Sequence, residues 1–111
     1  MHATANNNNN KFRDAEQMWF WFVSSKRIQD GLRRAGASSF RPCELIDIET
    51  LTTRLHLSGR ITREQLEIMV RFGERRRAPT QHIYAENRAA MLWQSAMCTM
   101  QLAASAKGWL E

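Results

Sequence analysis

Arginine is the residue type through which this chain is best equipped for chemistry. Arg75, Arg76 and Arg77 are consecutive, and Arg71 stands about one helical turn before them. An earlier basic group comprises Lys26, Arg27, Arg33 and Arg34. A guanidinium offers a rigid fork of donors that matches phosphate oxygens and guanine edges. Charge is segregated along the chain. Seven arginines against three glutamates leave residues 54–77 at +4, and five Lys/Arg against Asp30 leave residues 26–41 at +4. Between them, Glu44, Asp47 and Glu49 leave residues 42–53 at −3. If the two basic segments converge, they form a surface that grips phosphates without reading sequence. The alternative is a solvated face with favourable charge at helix C-termini. The formal charge of +5 favours anionic partners but is also ordinary for a soluble domain.

Leu51 to Gly73, LTTRLHLSGRITREQLEIMVRFG, has the pattern of two helices joined by a Gly-containing corner. In a helix-turn-helix the second helix enters the major groove and its exposed side chains meet base edges. Here the exposed positions would be Arg63, Glu64, Glu67, Arg71 and Glu74. The expected contacts are Arg63 and Arg71 from that helix. Arg75, Arg76 and Arg77 would be phosphate anchors, and Lys26, Arg27, Arg33 and Arg34 secondary ones. Duplex DNA is favoured over RNA as the partner, and transcription regulation as the use. Three glutamates on the same side would repel phosphates, and an ordinary αα-corner in a bundle has the same pattern.

Trp19, Phe20, Trp21 and Phe22 form an aromatic run. A helix cannot bury four consecutive rings against one neighbour. This motivates the rival function, a protein–protein interaction module that self-associates through its first helix, most simply as a two-fold homodimer. The bland reading is core packing, with the last helix and Trp109-Leu110 closing over the rings.

Enzymatic chemistry is not expected. No P-loop, G-x-S-x-G or H-E-x-x-H motif occurs, so no catalytic residue or cofactor is assigned. Cys43, His56, His82 and Cys98 lack the short paired spacing of a zinc site, so no metal is expected. Two cysteines make no disulfide framework, and residues 1–11 lack the apolar stretch of a signal peptide. These features point to a cytoplasmic setting. The longest apolar run, Met18 to Val23, is far short of the ~20 residues that span a bilayer, so no membrane partner is expected.

Hydrophobic periodicity supplies the framework. Residues 1–11, with five consecutive asparagines, are expected to be a disordered tail, and residues 12–111 one helical domain. The first helix is expected over about Arg13–Arg34, ended near Gly36. Pro42 suits the first turn of a second, over about Cys43–Leu57, with Leu45, Ile48, Leu51 and Leu55 inward and Gly59 as its left-handed cap. Thr62 and Gln65 form a capping box, flanked by Ile61 and Leu66 at the staple positions. Leu66, Met69 and Val70 are then expected inward, and Gly73 at the helix end or in its last turn. The fourth helix should cover about Tyr84–Lys107, closed by Gly108. No window alternates like a strand. The fold class is all-α, four helices containing a helix-turn-helix-like corner.

Overall fold

The computed structural model describes residues 10–32 and 41–111. Among these residues it contains four α-helices and no strand: α1 Ala15–Leu32, α2 Leu45–Leu57, α3 Arg63–Arg75 and α4 Asn87–Ala106. A 3-10 turn, Tyr84–Glu86, precedes α4. Residues 1–9 of the expected tail, the terminator Gly36, and Arg33 and Arg34 lie outside the described residues.

Local signals set the helix ends. Asp14 accepts from the Gln17 backbone N–H through Oδ1 (2.9 Å), so α1 starts one turn-cap later than the apolar pattern alone implies. Pro42 is not in the first turn of α2. Glu44 is the N-cap instead, and its N–H donates to Asp47 Oδ2 (2.8 Å). That carboxylate also faces the positive end of the helix. The α3 capping box is reciprocal: Gln65 N–H donates to Thr62 Oγ1 (3.1 Å) and Thr62 N–H donates to Gln65 Oε1 (2.8 Å). Gly59, at φ +85°, turns the chain between α2 and α3. In that turn the Leu55 carbonyl accepts from both Arg60 and Ile61 N–H.

The core gathers around α1, which packs against each of the other three helices, while α3 also packs against α4. Trp19, Met18, Ile48, Ile61, Met69, Trp93 and Met100 are among its fully buried side chains. Phe12 and Leu110 form a parallel bridge. Phe12 N–H donates to the Trp109 carbonyl (3.1 Å), and Glu111 N–H donates to the Phe12 carbonyl (2.8 Å). The segment after Gly108 is therefore part of the fold.

One expectation for α3 needs correction. Val70 is 42% exposed, and the inward row is Gln65, Ile68, Met69, Phe72 and Gly73. Because α1 and α4 both press on α3, the buried arc centres on this i, i+3, i+4, i+7, i+8 set, and Val70 falls on its rim. Gly73 stands in the last turn, and the helix continues to Arg75 with Arg76 as a left-handed cap at φ 59°. Gly73 is also a point of close approach. A Cβ there would lie 2.8 Å from Trp19 Nε1 and 2.9 Å from Val23 Cγ2.

The aromatic run is absorbed by this packing. Trp19 and Phe22 are buried core residues and Phe20 and Trp21 are half-buried. Every ring has an aromatic neighbour within the chain: Trp19 with Phe22 (5.2 Å between centroids), Phe12 with Trp21 (5.3 Å) and Phe20 with Trp93 (5.6 Å). Three helices and the C-terminal segment surround α1, which is more cover than one neighbour provides. The four rings thus form no continuous exposed face for self-association.

Two substitutions test this architecture. Thr62→Ala removes a capping oxygen and should cost about 1 kcal/mol, read as a lower urea midpoint. Gly73→Ala forces a methyl group against Trp19 and Val23 and should cost about 1–3 kcal/mol, although alanine is the better helix former. A stabilised Gly73→Ala protein would contradict the close approach.

Candidate nucleic-acid interface

The surface in question is the outer side of α3 and the loop beyond it. Arg63, Glu64, Glu67, Arg71 and Glu74 are all exposed, as the spacing predicts. With His56, Leu66 and Val70, four of them (Arg63, Glu67, Arg71 and Glu74) line an open groove of about 780 Å³. His56 Nδ1 lies 2.9 Å from the Ile61 carbonyl. A carbonyl only accepts, so Nδ1 carries the proton and the ring is fixed against the corner.

The corner itself is a junction within a bundle. α2 packs chiefly on α1, and α3 packs on α1 and α4, so the two corner helices do not pack chiefly on one another. A DNA-reading helix-turn-helix unit is therefore not established by the fold.

Ion pairing divides the arginines into two groups. Arg63 Nε lies 3.5 Å from Glu67 Oε2, one turn along the same helix. Arg88 of α4 makes a two-point contact with Glu64, at 2.9 and 3.1 Å. Arg77 makes another with Glu86, at 3.0 and 2.5 Å. Lys26 reaches Glu49 of α2 at 3.3 Å. Among the described residues, Arg27, Arg54, Arg60, Arg71, Arg75 and Arg76 are exposed and have no such carboxylate partner, and four of these, Arg27, Arg71, Arg75 and Arg76, belong to the two basic segments that α1 and α3 carry. Arg75 stacks its guanidinium over Phe72, 5.1 Å from the ring centroid, an arrangement that keeps its charge outward.

Of the residues expected to anchor phosphate, Arg77 is thus committed to the fold. Glu86 accepts from both Arg77 nitrogens and from the Thr80 backbone N–H (3.0 Å). Arg77 first, and Thr80 second, hold the Glu86 carboxyl down at about 2 from the ordinary 4.5. Sequence reading missed this clasp because the partners are nine residues apart across a proline-containing loop. The alternation of Arg75–Arg77 with Glu86 offers no regular spacing from which to read it.

The crossing at Gly73 relates the two basic segments. Val23 touches the Gly73 position. Arg27 lies one turn beyond Val23, and Arg75 and Arg76 lie within one turn of Gly73. At ~1.5 Å per residue, each backbone position is roughly 6 Å or less along its helix from the same contact. Arg71 lies two residues before Gly73 on the same helix. Elsewhere the Cys43 thiol is pushed up to about 12, first by burial and second by Asp47, so it is inert. Among the described residues no cluster of three potential metal ligands occurs, and no helix is long and apolar enough to cross a membrane.

Comparison of the chain with protein-family models, curated proteins and solved structures gives no match. The functional reading therefore rests on the geometry above.

The clasp predicts a pH dependence. A carboxyl depressed in the folded state stabilises the protein above its unfolded value, and that contribution is lost as pH falls toward the folded value. Glu86→Gln should therefore melt below the native protein at about pH 7. The two melting curves should converge as pH drops from about 4.5 toward 2. Equal melting temperatures at neutral pH would show that the clasp does not hold in solution.

Proposed function

We propose that this protein binds nucleic acid through the phosphate backbone, duplex DNA being the favoured partner. Arg71, Arg75 and Arg76 at the end of α3 are the principal contacts, and Arg27 of α1 adds to them. One observation carries the reading: these exposed cations lack carboxylate partners and flank a single helix crossing. Such contacts neutralise phosphates and release counterions, and they position a protein on nucleic acid without reading its sequence. Arg63, paired with Glu67, and Arg77, paired with Glu86, are secondary. Base reading by α3 has less support, because Glu67 and Glu74 share its groove with the arginines. The free thiols Cys43 and Cys98 fit a reducing, cytoplasmic setting for this role.

The groove supports a second reading, a module that binds a protein segment. Leu66 and Val70 supply apolar contact there, and Arg63, Glu67, Arg71 and Glu74 form a mixed-charge rim. Mixed rims set specificity in protein interfaces.

Salt titration separates the two. Affinity for duplex DNA should fall linearly on a log–log plot, by about 0.9 in slope per phosphate neutralised. Replacing Arg71, Arg75 and Arg76 together with alanine should flatten the slope by about 2–3. Arg77→Ala should lower the melting temperature while changing the slope far less. Absence of binding at low salt would remove the nucleic-acid reading and leave the groove.

A further inference from the structure

The outer row of α4 is unlike the outer row of any other helix. From Ala89 to Ala106 the chain contains no Asp, Glu, Lys or Arg, although charged residues make up 24% of the protein. The inward side of α4 explains only half of this, since Ala90, Trp93, Ala96, Met97, Met100 and Ala104 are buried. The opposite side is Met91, Gln94, Cys98, Leu102 and Ser105, all exposed. Met91 is 66% and Leu102 71% exposed, and both are large apolar side chains. By contrast, the exposed row of α3 carries Arg63, Glu67, Arg71 and Glu74, and α2 exposes Glu49 and Arg54.

Positions 91, 94, 98, 102 and 105 form a seam with three- and four-residue steps, the spacing by which one helix packs along another. At 100° per residue they lie within about 40° of Cys98. Cys98 is also the midpoint of the seam, with Gln94 and Leu102 four residues to either side and Met91 and Ser105 seven.

We infer that α4 is a self-association surface, and that the partner on this seam is a second copy of the same chain. Charge supports this occupant. Each copy is formally +5, so meeting at an uncharged row spares two copies the close like-charge contacts that their cationic faces would make. The outward row of α4 meets that condition from Met91 to Ser105, about 21 Å at ~1.5 Å per residue, and the nearest charge on the helix, Arg88, is held by Glu64. Two-fold pairing is also the commonest closed arrangement and needs one self-complementary surface. A two-fold axis at the middle of the seam, along the helix or across it, sets Cys98 opposite its own copy. Packed helices lie ~8–10 Å apart with Cα atoms ~2.3 Å from each axis, so facing Cα atoms approach to about 5 Å. That separation falls within the ~4.4–6.8 Å usual for a disulfide. This inference is independent of the proposed nucleic-acid contacts, which lie on α3 and α1. It also replaces the aromatic run of α1 as the dimer surface.

The experiment combines sedimentation with cross-linking of the full chain. Under reducing conditions, sedimentation across a wide concentration range should show reversible dimerisation. On addition of oxidised glutathione, two Cys98 thiols should give up two protons and two electrons and form one S–S bond. The reagent's S–S bond breaks and leaves two glutathione thiols. The product should run at twice the chain mass of 12.9 kDa. Cys98→Ser should abolish the cross-link and leave the sedimentation dimer intact. Leu102→Glu and Met91→Glu place a charge on an already exposed position, so the fold should survive, as circular dichroism would verify. Each should weaken dimerisation by roughly tenfold or more and suppress cross-linking, because a buried unpaired carboxylate is costly. A monomer at every concentration overturns the inference. So does a dimer indifferent to both glutamate variants, or cross-linking that persists in Cys98→Ser. Co-pelleting of a monomeric chain with phosphatidylcholine vesicles would assign the face to a bilayer and overturn it equally.

Discussion

The structure depends on the contact between α1 and Gly73 of α3. Trp19 is 2% exposed, and its indole N–H donates to the Met69 carbonyl at 2.7 Å. A tryptophan brings a large apolar area together with one donor, and burial is tolerable when that donor is satisfied. Here the acceptor is a backbone carbonyl within a helix, reached because Gly73 has no side chain to hold the helices apart. The indole thus fixes both the distance between α1 and α3 and their register. Three further polar contacts extend this frame from inside. Trp93 donates to Glu16 (2.8 Å), Gln65 donates to Ser95 (3.1 Å), and Gln101 accepts from the Ala15 N–H (2.9 Å). Each ties α4 to another helix, and no buried side-chain polar atom among the described residues lacks a partner.

Once α1 and α3 are locked, the electrostatic surface follows. The carboxylates of α3 and of the loop after it take up arginines in sequence: Glu67 with Arg63, Glu64 with Arg88, Glu86 with Arg77. Exposed pairs of this kind contribute little stability individually. Their larger effect is on availability, since a guanidinium in a two-point carboxylate contact is less free to meet a phosphate. The chain's positive charge is thereby narrowed to fewer residues, of which Arg27, Arg71, Arg75 and Arg76 stand near the crossing of the two helices, and Arg54 and Arg60 on α2 and its corner. The aromatic rings of α1 are turned inward, and the large exposed apolar side chains of α4 stand on an uncharged row. The proposed binding and self-association surfaces therefore occupy different helices.

Several elements were legible in the sequence because their determinants are local. The Thr62–Gln65 box, the Gly59 and Gly108 turns and most of the inward row of α2 (Ile48, Leu51 and Leu55) depend on residues within four positions of one another. The exposed row of α3 followed from its period. The fate of Gly73 was not legible. A glycine near a helix end reads as a terminator or a last-turn residue, and only the arrival of Trp19 and Val23, 54 and 50 residues away, makes it a packing site. Val70 was misplaced for a related reason, since which arc of a helix is buried depends on where two neighbours press.

By itself, then, the sequence determined the all-helical class, the caps and turns, and the excess of positive charge. These are set by backbone chemistry and periodicity within a few residues. The tertiary structure decided which arginines are committed to carboxylates, that Trp19 and Phe22 of the aromatic run are core with Phe20 and Trp21 packed against it, and that α4 presents an uncharged row from Met91 to Ser105. Each of these outcomes depends on groups distant in the chain meeting in space, and the contact between Trp19 and Gly73 is what brings α1 and α3 together.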